Sequence, residues 1–303
     1  MYKKYITTIL FLCITASSFA CAICGCGGSN FYLGLMPHFR TKFIGIRYQY
    51  MNYNTVLVND PTQYSHNYYN TIQVWGGFNV AKRWQLLYIV PVHFNKQIDD
   101  DGITNKNGLG DASLMANYLL FHKIKTYEHR AGIEQQLWVG GGIKLPTGKM
   151  DVNLKDPNIT VADVNAQLGT GSIDFMLNTM YNIRIGNWGV NSTLTYKANT
   201  AKNEYQFGNK FTGSAIGYYN ILLKKMNIMP NAGMMYENTA ANTLSKMSVA
   251  ATGGYITSAM AGVEVGIKKM NVGITCMAPV GQYYAAGQTK LNWRGDAHVS
   301  FSF

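Results

Sequence analysis

The sequence predicts an all-β chain: a transmembrane antiparallel meander β-barrel of about twelve strands. Three observations predict it. The segment 290–303 alternates in polarity almost residue by residue and ends on Phe303. The start of the chain reads as an export leader. The alternating segments between them run to about 11–18 residues, where soluble strands have a mode near 5–6.

In the last segment, Leu291, Trp293, Gly295, Ala297, Val299, Phe301 and Phe303 fall on one face. Asn292, Arg294, Asp296, His298, Ser300 and Ser302 fall on the other. Successive side chains of a strand point to opposite sides, so one side is apolar and the other charged. A terminal aromatic residue fits the last strand of a bacterial outer-membrane barrel. A soluble β-sandwich would also alternate, but the leader and the strand lengths argue against it.

The leader has Lys3 and Lys4, an apolar stretch Tyr5 to Ile14, and the small-x-Ala site Ser18-Phe19-Ala20. Its apolar part is too short for a membrane helix, which needs about 20 residues. The expected organisation is a signal peptide over 1–20, a Cys/Gly-rich arm over 21–40 and a barrel over 41–303. Removing 1–20 takes two lysines from 26 basic residues, leaving 24 against 15 acidic residues, or +9. Basic residues are scattered, and an exported chain has little access to nucleic acid, so no nucleic-acid partner is expected. Charge of this sign favours anionic lipid surfaces or anionic solutes.

The strands follow in order. In 41–53, Ile44, Ile46, Tyr48 and Tyr50 oppose Gly45, Arg47 and Gln49. A strand near 66–79 leads to the short turn Val80-Ala81-Lys82. Then Trp84, Leu86, Tyr88, Val90, Val92 and Phe94 oppose Arg83, Gln85, Leu87, Ile89, Pro91, His93 and Asn95. In 108–121, Leu114, Tyr118 and Leu120 oppose Asp111, Ser113, Met115 and Asn117. Further strands are expected near 129–146, 169–183, 187–198, 210–224, 226–237, 250–267, 271–281 and 290–303. Long polar separators at 54–65, 96–107 and 147–168 read as outer loops, and short turns as periplasmic. Hydrocarbon offers the backbone no hydrogen-bond partner, so a spanning sheet has to close.

Three stretches resemble a known family, the outer-membrane transporters associated with the meta-cleavage pathway of phenol degradation. They are Gly108-Leu109-Gly110-Asp111, the run Gly140 to Gly148 ending Lys144-Leu145-Pro146-Thr147-Gly148, and Leu168-Gly169-Thr170-Gly171-Ser172-Ile173-Asp174. The resemblance covers about residues 70–200. It implies an outer-membrane β-barrel in a Gram-negative bacterium and a transport role, without a substrate. Read from the residues alone, Gly108 to Asp111 is a tight turn opening a strand, and Pro146 stops one because it cannot donate to the ladder.

The polar faces give a candidate lumen: Arg47, Arg83, Asp111, Glu134, Lys144, Asp174, Lys197, Glu237, Glu264, Arg294 and Asp296, with His93 and His298. These charges would either screen ionic solutes or pair and rigidify the barrel. Twelve strands enclose more than the eight that side chains can just fill. The expected function is a monomeric channel or transporter for a small solute, with lipid and that solute as partners. A structural barrel with a filled lumen is the alternative from packing.

Cys21, Cys24 and Cys26 support several readings. The thiol of Cys21 could carry lipid, though Phe19 makes a poor lipobox. Three thiolates could hold Cu or Zn as a cofactor, making a metal-binding surface protein anchored by a barrel. A disulfide or a functionless tail are the others. No cofactor is expected elsewhere. No G-x-S-x-G or H-E-x-x-H occurs and no catalytic residues are expected, so an enzyme is not the reading.

Overall fold

The computed structural model describes residues 42–56, 64–100, 102–128, 131–150 and 167–303. The expected leader, the arm over 21–40 and the Cys21, Cys24 and Cys26 set lie outside the described residues.

The first half contains β1 (Phe43–Val56), β2 (Tyr64–Ala81), β3 (Trp84–Asp99), β4 (Gly102–Leu109), β5 (Ser113–Lys125), β6 (Ile133–Lys144) and β7 (Asp174–Ile185). The second contains β8 (Trp188–Ala198), β9 (Ala201–Lys202), β10 (Tyr205–Gln206), β11 (Lys210–Tyr219), β12 (Ile221–Leu222) and β13 (Met226–Thr239). It ends with β14 (Thr243–Leu244), β15 (Met247–Ser248), β16 (Gly254–Ile267), β17 (Met270–Tyr284) and β18 (Thr289–Ser302). Twelve long staves, with β4 and β5 together forming one, pair antiparallel with their sequence neighbours. The sheet closes where β1 pairs with β18, from Phe43↔Ser302 to Thr55↔Thr289. Closure removes the open edge that would otherwise invite pairing with another chain.

Alternation decides what faces where. On β1, Ile44, Ile46 and Tyr48 are exposed on the outer wall, while Arg47, Gln49 and Met51 are buried inside. Ile72, Leu114, Leu177 and Ile274 continue the apolar outer band. Aromatic pairs mark its two rims. At the short-turn end Trp84 meets Tyr118 and Trp188 meets Tyr219, with ring centroids 5.0 and 4.7 Å apart. At the long-loop end Tyr50 meets Trp293 at 4.6 Å and Tyr236 stacks on Tyr255 at 6.3 Å. From Trp84 to Phe94 a strand rises about 33 Å, which a tilt near 40° reduces to about 25 Å, the height of an outer-membrane apolar band.

The interior holds apolar and polar layers. Phe43, Trp75, Leu87, Ile89, Met115 and Trp138 are among one cluster, and Met229, Met235, Met260 and Met277 are among another. Methionine's flexible thioether fills the irregular space inside a curved wall.

Four expectations need correction. The polar separator 96–107 is not a loop: β3 continues to Asp99 and pairs with β4 from Val92↔Leu109 to Asp99↔Gly102. Polar residues on both faces can form such a hairpin because both faces can meet water beyond the apolar band. Arg83 is not a lumen residue; it is exposed in the two-residue turn between β2 and β3. The strand starts only at Trp84, and in the turn before it parity no longer sets the face. The sixth stave, β7, begins at Asp174 rather than near 169. Finally, Leu291 does not share the outer face with Trp293. The register slips so that Asn52 faces Trp293 and Tyr53 faces Leu291. That bulge turns Leu291 inward, where it is 1% exposed against Met51, Tyr53 and Tyr69.

Candidate functional site: the charged lumen

The inner wall collects its charges into four groups. The densest lies at the long-loop end of β5 to β7. The Lys144 ammonium is 2.5 Å from Asp111 Oδ2 and 2.9 Å from Asp174 Oδ2. It also donates to the Thr170 hydroxyl and, at 3.1 Å, to the Ser172 carbonyl. Asp111 accepts from the backbone N–H groups of Gly148 and Thr170, each at 2.9 Å. Asp174 accepts from the Ser172 hydroxyl at 2.8 Å and the Thr200 N–H at 3.0 Å. Thr147 donates to the Gly110 carbonyl and accepts from Ala112 N–H.

This knot joins the three motif stretches. Gly108 to Asp111, Lys144 to Gly148 and Gly169 to Asp174 stand apart in sequence and converge on one buried lysine. The close approach explains Gly169: a Cβ there would lie 2.7 Å from the Gly148 carbonyl oxygen and closer still to Asp111 Oδ1. Lys144, Asp111 and Asp174 are all nearly fully buried. Charges in that setting persist because they are paired and hydrogen-bonded.

The second group joins β11, β13 and β18. Glu237 takes Arg294 at 3.0 Å on one oxygen and Lys210 at 2.8 Å on the other. The third crosses the closing seam. The Arg47 Nε lies 3.9 Å from Asp296 and donates to Gln73 at 2.9 Å, while its guanidinium sits 4.9 Å above the Trp75 ring. Beside it His298 lies 3.2 Å from Glu264, and Trp75 meets the His298 ring edge-on. The fourth, near the short turns, is Glu134 with Arg184 at 2.6 Å and His122 at 2.8 Å. Lys197 is half-buried on β8, opposite Lys210. His93 is buried and bonds Thr71 Oγ1 at 2.9 Å.

Ten of the eleven named lumen candidates therefore lie on the inner wall, and Arg83 does not. The alternative of paired rather than free charges describes the arrangement. Sequence reasoning passed over Lys210, Arg184 and His122, which complete the second and fourth groups. Inward parity on their own strands was the available signal, but their segments alternate less cleanly. Among the described residues, no group of three or more His, Cys, Asp or Glu side chains could hold a metal ion.

No family model matches the chain, and no curated protein sequence matches it. Solved structures do. An outer membrane channel from Pseudomonas putida F1 is similar over 89% of this chain and 97% of its own, at 14% identity and a TM-score of 0.62. The β-domain of the Bordetella autotransporter BrkA covers 87% of this chain and 100% of its own, at 12% identity and a TM-score of 0.49. The NanC porin covers 86% and 100%, at 10% identity and a TM-score of 0.40. The first of these likenesses shows the fold: this chain has the architecture of an outer-membrane β-barrel.

Proposed function

We propose that this protein is a channel or transporter of the Gram-negative outer membrane that passes a small solute and does no catalysis. The observation that carries the reading is a closed barrel with an apolar, aromatic-rimmed outside and an inner wall of charges from nine different staves. A wall of that kind supports selective passage. The whole-length likeness to a solved outer membrane channel favours the same reading. In this reading lipid covers the Ile44–Ile46–Tyr48 side, the short turns face the periplasm, and one chain suffices because no edge is left open. The convergence of the three motifs on Lys144 favours the meta-cleavage transporter resemblance as its finer family.

Crowding of the inner wall favours a second reading, a filled structural barrel. Thr71, Gln85, Met115, Asn117 and Asp174 are each 0% exposed. Planar-bilayer recording separates the two. Purified protein should give discrete, ion-selective conductance, and Glu237→Gln should shift selectivity toward anions. A folded barrel with neither conductance nor solute uptake into liposomes would leave the filled barrel.

A further inference from the structure

The outer wall changes character at its long-loop end along the arc β18–β1–β2–β3–β4. Register sorts the outward side chains there into rows about 7 Å apart. The row through Tyr48 is apolar: Ala297, Tyr48, Ile72, Val92 and Leu109. The next, Gly295, Tyr50, Asn70, Phe94 and Asn107, mixes rings with amides. Above it come Trp293, Asn52, Tyr68, Lys96 and Asn105, and then Lys290, Asn54, His66, Ile98 and Ile103. Outward polarity thus begins where the apolar band ends, and it spans five strands, about 19 Å across. The opposite arc differs. Its last row before the loops is Tyr196, Phe211, Asn238, Tyr255 and Tyr283, four rings and one amide without a charge.

Chemistry narrows the partner. Lys96 and Lys290 are exposed, and neither forms an ion pair among the described residues. Of the carboxylates on these strands, Asp296 is buried inside, and Asp99 shares the inner side with Gln97, whose amide it accepts. Asp100, in the turn after β3, stands four residues and so about 13 Å beyond Lys96. Two cations therefore face outward without a counter-charge on the wall. Hydrogen bonds fix the amides between them. Asn292 donates to Asn52 at 3.1 Å, and Asn70 accepts from the Tyr48 hydroxyl at 2.6 Å while donating to the Phe94 carbonyl at 3.2 Å. Tyr50 and Trp293, 4.6 Å apart, supply rings at the interface for the C–H side of a sugar. Lysines at a membrane surface attract anionic headgroups. A phosphate alone or a sugar alone would use half of this belt.

We propose that the belt docks a phosphorylated, sugar-headed lipid of the outer leaflet. Its acyl chains lie on the Tyr48 row, its sugar against Tyr50, Trp293 and the asparagines, and its phosphates at Lys96 and Lys290. The inference rests on the orientation given above, long loops outward, and adds a partner that the channel reading does not require. Full-length protein in detergent is titrated with deep-rough lipopolysaccharide, with its enzymatically dephosphorylated form and with phosphatidylglycerol, and complexes are counted by native mass spectrometry. The phosphorylated glycolipid should bind at least about tenfold more tightly than either comparison lipid. Joint Lys96→Gln and Lys290→Gln should weaken it at least about tenfold. Lys82→Gln with Lys268→Gln, the same change of charge at the short turns, should leave binding unchanged. Heat-modifiable gel mobility checks that each variant is folded. Equal binding of the three lipids, a folded belt variant that binds as the parent does, or an equal loss from the short-turn pair overturns the proposal. Conductance without glycolipid binding would sink the belt and keep the channel reading; the converse would sink the channel reading alone.

Discussion

At the scale of single residues, burial decides which ion pairs matter. Lys144 faces two carboxylates in a place water does not reach, so removing it strands two charges. We expect Lys144→Met to lower stability by roughly 3–5 kcal/mol, read as a fall in the urea midpoint of the barrel in liposomes. Adding Asp111→Asn and Asp174→Asn should recover much of the loss, because neutral groups of the same shape carry no charge to desolvate. Arg184 offers the contrast. Its side chain is 40% exposed and Glu134's 22%, so water and salt screen the pair. Arg184→Ala should cost no more than about 1 kcal/mol in the same assay. The residues of the Lys144 knot were legible one at a time, as a turn and a strand stop. Their meeting was not, because the bonds join residues 33 and 59 positions apart, and local pattern carries no information across such spans.

At the scale of elements, period 2 found the staves and missed what interrupts them. The β3 face from Trp84 to Phe94 was readable because every other residue agrees. The bulge beside Asn292 was not, since Leu291 and Trp293 are both apolar and the pattern looks unbroken through it. Leu291→Ala tests that correction: an outward leucine would cost little, whereas an inward one should cost about 2–5 kcal/mol by denaturant titration. Polar hairpins were hidden for a different reason. Residues 201–206 and 243–248 each fold back as a two-stranded ribbon, and β10 joins β14 to make one four-stranded sheet at the loop end. Their tight turns use Asn203-Glu204 and Ser245-Lys246, all at positive φ, without the Asn-Gly or Asp-Gly pair that marks such a turn in a sequence. Ser245 then bonds Glu204 through both backbone and side chain, tying the two tips together.

At the scale of the whole molecule, depth along the outer wall should set the cost of a charge. Ile46 lies well inside the apolar band and Val56 at its upper end, and both are exposed outward. Ile46→Arg should destabilise the barrel by about 2–4 kcal/mol and Val56→Arg by about 0–1 kcal/mol, measured by reversible unfolding from lipid vesicles. Equal costs would mean that no hydrocarbon surrounds this wall. The seam between the first and last strands has a temporal consequence. It joins Thr55 to Thr289 across 234 residues, so β18 must be made before the ring can shut. Until β18 arrives, Arg47 waits for Asp296, Glu237 for Arg294 and Glu264 for His298. A half-built chain thus leaves Arg47 and Glu264 without their ion partners and Glu237 with Lys210 alone, and docking the final strand completes all three in one step, which makes assembly a single late commitment.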